Sequence, residues 1–294
     1  MQIISAVTEM RDAVERLGLG GRRIGFVPTM GFLHEGHLSL MRHARTRCDC
    51  LIASIFVNPT QFGPGEDLDR YPRDFERDSA LCSEADVDII FHPSAADIYP
   101  DRQAPSAAEI PFACGLCGVS RPGHFQGVVR IVTILFDIVR PQVAVFGQKD
   151  AQQARIIQQL QQDRGLAIEV LVAPTVREKD GLAMSSRNAY LAPREREQAV
   201  CLSEALDLAR SAYAQGERSA ETVKRMVGEH LAGPDTIAVD YVEIVDWRTF
   251  KPVADLDEWS LLALAAVVGR TRLIDNVNLS GVEWPGFSLR SSTA

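Results

Sequence analysis

Two histidines stand three positions apart in the stretch PTMGFLHEGH, residues 28–37. The stretch follows a short apolar run and precedes LSLMRHARTRC, a pattern typical of a strand that leads into a helix. If that turn is helical, the imidazoles of His34 and His37 project to the same side and can donate hydrogen bonds to phosphate oxygens. Gly31 and Gly36 would let the backbone approach such an anion beside the free N–H groups of the helix start. The alternative is that one histidine caps the helix and the other is a solvated surface residue.

Further polar residues follow apolar runs later in the chain. Lys149 and Asp150 come just after the run at residues 142–146, and Gln61 follows an earlier run in the same way. The carboxyl ends of parallel strands are where such sheets bind ligands. Two alternatives stay open: Lys149 can be an ordinary surface lysine, and Asp150 with Gln153 has the spacing of a helix capping box.

A polar loop, VREKDGLAMSSRN, ends at residue 188. The hydroxyls of Ser185 and Ser186 and the guanidinium of Arg187 suit phosphate oxygens, and a loop between domains can close over a ligand. The two serines can equally be turn or cap residues.

The elements that must position these residues alternate between β-rich runs and helical patterns. This alternation predicts an α/β fold with a doubly wound, mainly parallel, Rossmann-like sheet, whose strand ends meet at a topological switch point. The segment 101–123 is rich in loops. The predicted strands are residues 23–27, 51–57, 87–91, 142–146 and 167–172, and the predicted helices are residues 37–48, 73–85, 125–139 and 150–164.

The sequence pattern changes after residue 175. Helical patterns come first and strand-like runs follow, which indicates a smaller α+β unit. We therefore expect a Rossmann-like domain at residues 1–180 and an α+β C-terminal domain at residues 181–294. The helices predicted there are residues 193–213 and 221–231, and the strands are residues 236–245, 261–268 and 271–274.

Composition limits the class of protein. The 294 residues are 46% hydrophobic, and the net charge of -8 is spread without a long block of one sign, which disfavours nucleic-acid and acidic-lipid partners. We find no apolar run of the ~18 residues that a membrane span needs, and the acid-bearing N-terminus is unlike a signal peptide, so we expect a cytoplasmic protein. The six cysteines are scattered, which predicts reduced thiols. Cys114 and Cys117 form a C-x-x-C that lacks a second ligand pair, so two unlinked loop cysteines are preferred over a zinc or redox site.

Five motifs in a fixed order resemble the pantothenate synthetase family: FVPTMGFLHEGHLSL, FVNPTQF, RPGHFQGV, FGQKDAQQ and MSSRN, spread over residues 26–188. The HEGH string is also similar to the H-x-G-H signature of the nucleotidyl-transferring superfamily that includes class I aminoacyl-tRNA synthetases. The resemblance implies ATP-dependent ligation of pantoate and β-alanine through a pantoyl adenylate, with release of pyrophosphate and AMP, by a homodimer. The alternative is a nucleotidylyltransferase of the same superfamily that acts on another small acceptor.

The resemblance also implies roles for individual residues. His34, His37, Lys149 and Arg187 would stabilise charge on the phosphates. Gln61 and Gln153 would hold pantoate, while Pro28, Met30 and Phe62 would cover its gem-dimethyl group. The residues implied in ATP binding are Met30, Gly31, His34, Gly36, His37, Gly147, Gln148, Lys149, Asp150, Val176, Met184, Ser185, Ser186 and Arg187.

Some residues have no role by resemblance. The string LCG at residues 116–118 stands where the family pattern has LEG, and Arg121 and His124 are unassigned. Adenylation normally needs Mg²⁺, which prefers phosphate oxygens, water and few carboxylates, and no residue here is designated as its ligand. Asp67 and Asp69 can orient the side chains that contact the ligand, or they can only cap the helix that follows.

Overall fold

This computed structural model describes residues 1–101 and 109–282. The strands of the first unit are β1 (Gln2–Ile4), β2 (Ile24–Thr29), β3 (Cys50–Ile55), β4 (Ile89–Phe91), β5 (Val143–Gly147) and β6 (Glu169–Ala173). They form one parallel sheet in the order β1-β4-β3-β2-β5-β6. The central strand β3 is buried at every position, because helices cover both faces of the sheet, and for this reason it is apolar in sequence except at Ser54.

Helices of the first unit lie on the two faces of this sheet. They are α1 (Val7–Leu19), α2 (Glu35–Arg45), α3 (Phe75–Glu84), α4 (Ala95–Ile98), α5 (Leu116–Ser120), α6 (His124–Val139) and α7 (Ala151–Asp163). One face of the sheet packs against α1, α6 and α7, and the other against α2 and α3. Along β3 the side chains alternate accordingly, with Ile52 in the first core and Leu51 and Ala53 in the second.

A cleft opens between β2 and β5 at their carboxyl ends. Their pairing runs from Gly25 opposite Val143 to Phe26 opposite Ala144 and goes no further. In contrast, β2 stays paired with β3 as far as Thr29. Successive strands after β2 extend the sheet in one direction, whereas β5 lies on its other side, so this cleft is the topological switch point of the sheet.

The second unit contains three helices and four strands: α8 (Pro193–Ala199), α9 (Cys201–Ala214), α10 (Ala220–Leu231), β7 (Ile237–Asp246), β8 (Lys251–Pro252), β9 (Ser260–Val268) and β10 (Thr271–Asn278). The strands form an antiparallel sheet in the order β10-β9-β7-β8, with helices on one face. Along β9, Leu262 and Leu264 pack against these helices, while Leu261 and Ala263 join the core of the first unit. The two units therefore share an apolar interface. No helix within the described ranges is long and apolar enough to cross a membrane.

The predicted fold class is confirmed, with a parallel sheet first and an antiparallel sheet after it. The single helix predicted at residues 193–213 is wrong, because α8 ends at Ala199 and α9 begins at Cys201. At the break, the hydroxyl of Ser203 donates to the carbonyl of Val200 at 2.9 Å, a local bond that competes with the helical pattern.

Several short elements escaped prediction, namely β1, α4, α5 and β8. Each has between two and five residues, too few to display a period. The segment predicted to be loop-rich contains α5, and its residues 102–108 lie outside the described residues. Strand β10 continues four residues beyond the predicted end at residue 274, because the buried polar residues Asp275 and Asn276 interrupt the apolar pattern.

Candidate active site

The loop between β2 and α2 is held by a buried carboxylate. Gly31 has φ +80° and Phe32 has φ +48°, so the chain turns through the left-handed region after leaving the sheet. Asp78 of α3 accepts hydrogen bonds from the backbone nitrogens of Phe32 and Leu33, each at 2.7 Å. A Cβ on Gly31 would lie 2.9 Å from an oxygen of that carboxylate. Gly31 therefore shapes the loop, and its approach to a bound anion stays a prediction.

The two histidines cap α2 reciprocally. Nδ1 of His34 accepts from the backbone nitrogen of Gly36 at 3.1 Å, and Nδ1 of His37 accepts from the backbone nitrogen of His34 at 3.2 Å. Their ring centroids are 4.1 Å apart. Because each Nδ1 is an acceptor, a neutral ring carries its proton on Nε2 and presents that N–H as a donor.

Both rings are neutral near pH 7. Burial, with the charges of His37 and Lys149, lowers the pKa of His34 to about 2. Burial lowers the pKa of His37 to about 4, against an opposing effect of Asp150. The suggested division into one cap and one solvated surface residue is thus wrong, since both histidines cap the helix and both line a cavity.

That cavity, of about 220 Å³, occupies the cleft at the carboxyl ends of β2 and β5. It brings together residues from seven separate segments of the chain. The predicted site residues that line it are Pro28, Met30, His34, Gly36, His37, Gln61, Gly147, Lys149, Asp150, Gln153, Val176, Met184, Ser185, Ser186 and Arg187. Its apolar wall includes Leu40, Phe56, Ile131, Leu135 and Phe146.

Two other predicted residues lie beside the cavity without lining it. The side-chain amide of Gln148 points to Asn276 of β10, with Nε2 and Oδ1 3.5 Å apart. The ring of Phe62 packs edge-on against Tyr71, with centroids 5.9 Å apart. Tyr71 itself lines the cavity, so Phe62 reaches the site only through that tyrosine.

A short 3-10 turn after β5 presents Lys149 and Asp150. Asn276 supports the turn by donating from Nδ2 to the carbonyls of Gln148 and Lys149, each at 2.9 Å. Asp150 makes no side-chain cap to α7, so the capping-box interpretation of Asp150 and Gln153 is wrong. Within the described ranges the ammonium of Lys149 and the carboxylate of Asp150 have no ion-pair partner. These side chains are available to a ligand.

Gln61 is oriented by a buried neighbour. Nδ2 of Asn58 donates to Oε1 of Gln61 at 3.0 Å, which turns the Gln61 amide nitrogen toward Sδ of Met30, also at 3.0 Å. Nδ1 of His124 donates to the backbone carbonyl of Gln61 at 2.9 Å. Burial and the charge of Arg121 lower the pKa of His124 to about 4, so this ring is neutral as well.

Among the residues that line the cavity, sequence reasoning missed Asn58 and Tyr71 and assigned no role to Arg121 and His124. A signal existed for Asn58, because asparagine before a proline is a frequent cap and the side chain does cap the turn Pro59–Gln61. Arg121 holds Glu66 bidentately, at 2.8 and 2.6 Å, and so braces the segment that follows Gln61.

Arg187 is clamped by Asp67 through two hydrogen bonds of 2.8 and 2.9 Å, and its guanidinium lies over the Tyr71 ring. Burial opposes ionisation of Asp67, but the bonds from Arg187 lower its pKa overall. Asp67 does not cap α3, since Asp74 does so. The hydroxyl of Ser186 donates to the carbonyl of Phe32 at 3.1 Å, which ties the MSSRN loop to the loop before α2.

The C-x-x-C cysteines are free thiols. Cys114 is exposed, whereas Cys117 is buried in α5 and not in a loop as predicted. The sulfur of Cys117 lies 3.3 Å from the hydroxyl of Tyr241 and 3.6 Å from the guanidinium nitrogens of Arg272.

Known proteins are similar in sequence to this chain over nearly its whole length. A family model described as pantoate-beta-alanine ligase matches residues 2–278. A pantothenate synthetase of Thermotoga petrophila is 52% identical over 279 residues, which covers 95% of this chain and 100% of the relative. A pantothenate synthetase of Syntrophus aciditrophicus is 51% identical over 276 residues, covering 94% of this chain and 96% of the relative.

Two solved structures are similar in fold over the same length. The pantothenate synthetase of Thermus thermophilus has a TM-score of 0.90 at 43% identity, covering 95% of this chain and 99% of that one. The pantoate-beta-alanine ligase of Francisella tularensis, complexed with beta-gamma ATP and beta-alanine, has a TM-score of 0.80 at 34% identity, covering 95% and 98%. Sequence and fold thus agree on the same set of relatives.

Proposed function

The chain belongs to the pantoate-beta-alanine ligase family, and we propose that its β2–β5 cavity joins pantoate to β-alanine with ATP, through a pantoyl adenylate. The observation that carries this proposal is the convergence of His34 and His37 with Lys149 in one cavity, although more than a hundred residues separate them in the chain. The alternative acceptor of a simple nucleotidylyltransferase has no such support, because the family match spans the acceptor-pocket motifs as well.

In the first step, a carboxylate oxygen of pantoate attacks the α-phosphorus of ATP. The bond from that phosphorus to the bridging oxygen breaks, and pyrophosphate leaves with the electron pair. Two anions must approach each other, so the site needs donors aimed at the phosphate as its charge shifts. The Nε2–H groups of His34 and His37 supply neutral donors, and the ammonium of Lys149 supplies the cation.

Pantoate lies between Gln61 and Gln153 in this proposal. Each amide has a donor and an acceptor for the hydroxyl and carboxylate groups of the substrate. Asn58 already satisfies Oε1 of Gln61, so Gln61 offers mainly its N–H donors. Pro28 and Met30 cover the gem-dimethyl group, together with the apolar wall of the cavity.

In the second step, the amine of β-alanine attacks the acyl carbon of the adenylate. A carbon–nitrogen bond forms, the bond from carbon to the phosphate oxygen breaks, AMP leaves, and the nitrogen loses a proton. The adenylate is a mixed anhydride that water would hydrolyse. The apolar wall formed by Leu40, Phe56 and Ile131 limits water at the acyl group until the amine arrives.

The nucleotide occupies the rest of the cavity. Ser185, Ser186 and Arg187 bind the outer phosphates, Asp150 and Gly147 bind the ribose, and Val176 lies by the adenine. Mg²⁺ accompanies ATP and would neutralise phosphate charge. Asp150, which this proposal places on the ribose, is the one described carboxylate that lines this cavity. Most ligands of the ion would then be phosphate oxygens and water.

Three further properties belong to this proposal. Residues 1–180 form the nucleotide- and pantoate-binding domain, and residues 181–294 form a domain that closes over ATP, supported by the contact of Ser186 with Phe32 across the cavity mouth. The chain forms a homodimer through an edge or a helix of the first unit; at the sheet edge, Ile3 of β1 is 49% exposed. Light scattering across a dilution series measures the dimer.

The proposed site of action is the cytoplasm, in keeping with the free thiols.

The decisive experiment is exchange of labelled pyrophosphate into ATP. We expect exchange that depends on pantoate and needs no β-alanine, because adenylation is reversible before the amine enters. Exchange without pantoate, or none in folded protein with pantoate present, would overturn the proposed function. Formation of the amide on addition of β-alanine then completes the assignment.

A further inference from the structure

A second cavity, of about 230 Å³, adjoins the first. The two share part of their walls, formed by Arg121, Lys149, Asp150, Ser185 and Arg187, so they meet where the outer phosphates of ATP are proposed to lie. The rest of the second cavity is lined by residues 65–70, by Tyr190, by Arg270 and by the first residues of β10, 271–274.

The walls of this second cavity are strongly cationic. Of its three acids, Glu66 and Asp67 each accept two hydrogen bonds from one arginine, and Asp150 lies on the shared wall together with Lys149. Arg272 is paired with Asp240. Two arginines remain, Arg70 and Arg270, and within the described residues neither has an ion-pair partner.

The guanidinium of Arg70 is held in place by neutral contacts. It donates to the backbone carbonyl of Arg270 at 3.4 Å and lies 5.1 Å from the ring centre of Tyr190. The hydroxyl of Tyr190 in turn donates to the carbonyl of Arg70 at 3.0 Å. These contacts position the charge of Arg70 at the cavity without neutralising it, so the electrostatic field there favours an anion.

We propose that this second cavity is the exit subsite for pyrophosphate, with Arg70 and Arg270 as its specific cationic residues. The inference rests on the proposed function, in which adenylation creates a free polyanion beside Lys149 and Arg187. Pyrophosphate that stays there can attack the adenylate and reverse the step. In this proposal, the unpaired charges of Arg70 and Arg270 attract pyrophosphate from the first cavity into the second, along the wall that the two cavities share. From there pyrophosphate is released to solvent.

The test compares inhibition of the overall reaction by added inorganic pyrophosphate in the wild-type enzyme and in Arg70→Gln, Arg270→Gln and the double variant. We expect the inhibition constant for pyrophosphate to rise about tenfold in the double variant, because the two exposed, unpaired positive charges that attract the anion are lost. The KM for ATP should stay within about twofold of wild type. Arg225→Gln, an exposed arginine on α10 outside both cavities, is the matched control.

Each outcome decides the matter. An unchanged inhibition constant overturns the exit subsite, and so does a KM for ATP that rises in parallel, since the arginines would then bind ATP itself. Arg270→Lys should restore most of the pyrophosphate affinity, which separates loss of charge from local disruption. Failure of wild-type protein to exchange pyrophosphate in the presence of pantoate is a different result, because it removes the proposed function and not only the subsite.

Discussion

Nδ1 of His37 accepts a hydrogen bond from the backbone nitrogen of His34 at 3.2 Å, while Nδ1 of His34 accepts from the backbone nitrogen of Gly36. The H-x-G-H spacing is thus explained by local geometry. The first histidine is the N-cap, and the second, at the third helical position, reaches back to it. Position 36, directly before the second histidine, requires glycine, because a Cβ on Gly36 would lie 2.8 Å from the His34 ring. Nδ1 of each ring caps the helix, which leaves Nε2 of each ring for the proposed contact with phosphate.

His37→Gln should lower pantoate-dependent pyrophosphate exchange by about 10²–10³-fold, as for loss of one donor that stabilises charge in a transition state. The KM for pantoate should change little, because the donor acts on the phosphate. His230→Gln, on α10 and outside the cavity, is the control. Near-normal exchange in His37→Gln would remove this ring from the mechanism.

The low pKa values of the histidines predict a pH dependence of folding. In the unfolded chain the rings of His34 and His37 titrate near 6.5, and in the folded protein their pKa values are about 2 and about 4. Between about pH 6.5 and pH 4 the unfolded chain binds more protons, so the free energy of unfolding falls as the pH is lowered through this window. Urea denaturation at several pH values measures it. The wild type should lose more stability than His37→Gln over this range, and equal losses would contradict the assigned burial.

Lys149→Ala should reduce adenylation by at least about 10³-fold, because the ammonium is the one cation of the first cavity that has no ion-pair partner in the described chain. Circular dichroism and the melting temperature should match the wild type. Lys179→Ala is a suitable control, since that lysine is exposed and outside the cavity. Turnover of the Lys149 variant within about tenfold of wild type would exclude the residue from the chemistry.

The Asp67–Arg187 pair should show strong coupling in a double-mutant cycle. Asp67 is 10% and Arg187 24% exposed, so removal of either leaves a largely buried charge without its partner. The losses of unfolding free energy in Asp67→Asn and in Arg187→Gln should therefore add up to more than the loss in the double variant. The difference, which is the coupling energy, should be roughly 0.5–3 kcal/mol. Chemical denaturation provides the values. The exposed pair Arg194–Asp235 serves as comparison and should couple much less; equal coupling would count against the structural role of Asp67.

Two glycines should respond oppositely to alanine. Gly31→Ala places a Cβ at φ +80° and against the Asp78 carboxylate, and should cost about 1–3 kcal/mol of stability. Gly228→Ala lies inside α10 with open space around the new Cβ, and should stabilise by about 0.5–1 kcal/mol through helix propensity. Thermal unfolding of both variants measures the contrast. A neutral Gly31→Ala would show that the loop before α2 is not constrained as described.

Local pattern was enough to predict most of the fold. Each main strand of the parallel sheet is a run of apolar residues, and burial on both faces requires such a run, so the strand positions could be predicted closely. Right-handed crossovers then place residues that follow the strands at one edge of the sheet. For that reason Lys149 and Gln61 could be assigned to the same edge as the histidines before any contact was known.

The tertiary structure alone decided which side chains meet and which way they point. Asp67 and Arg187 are 120 residues apart, and no periodicity relates them, yet they form the ion pair at the cavity mouth. The D-x-x-Q spacing of Asp150 and Gln153 was compatible with a cap, and only the orientation of the Asp150 side chain excludes one. Residue spacing encodes the period of a backbone, whereas the directions of side chains depend on packing between segments that are remote in the chain.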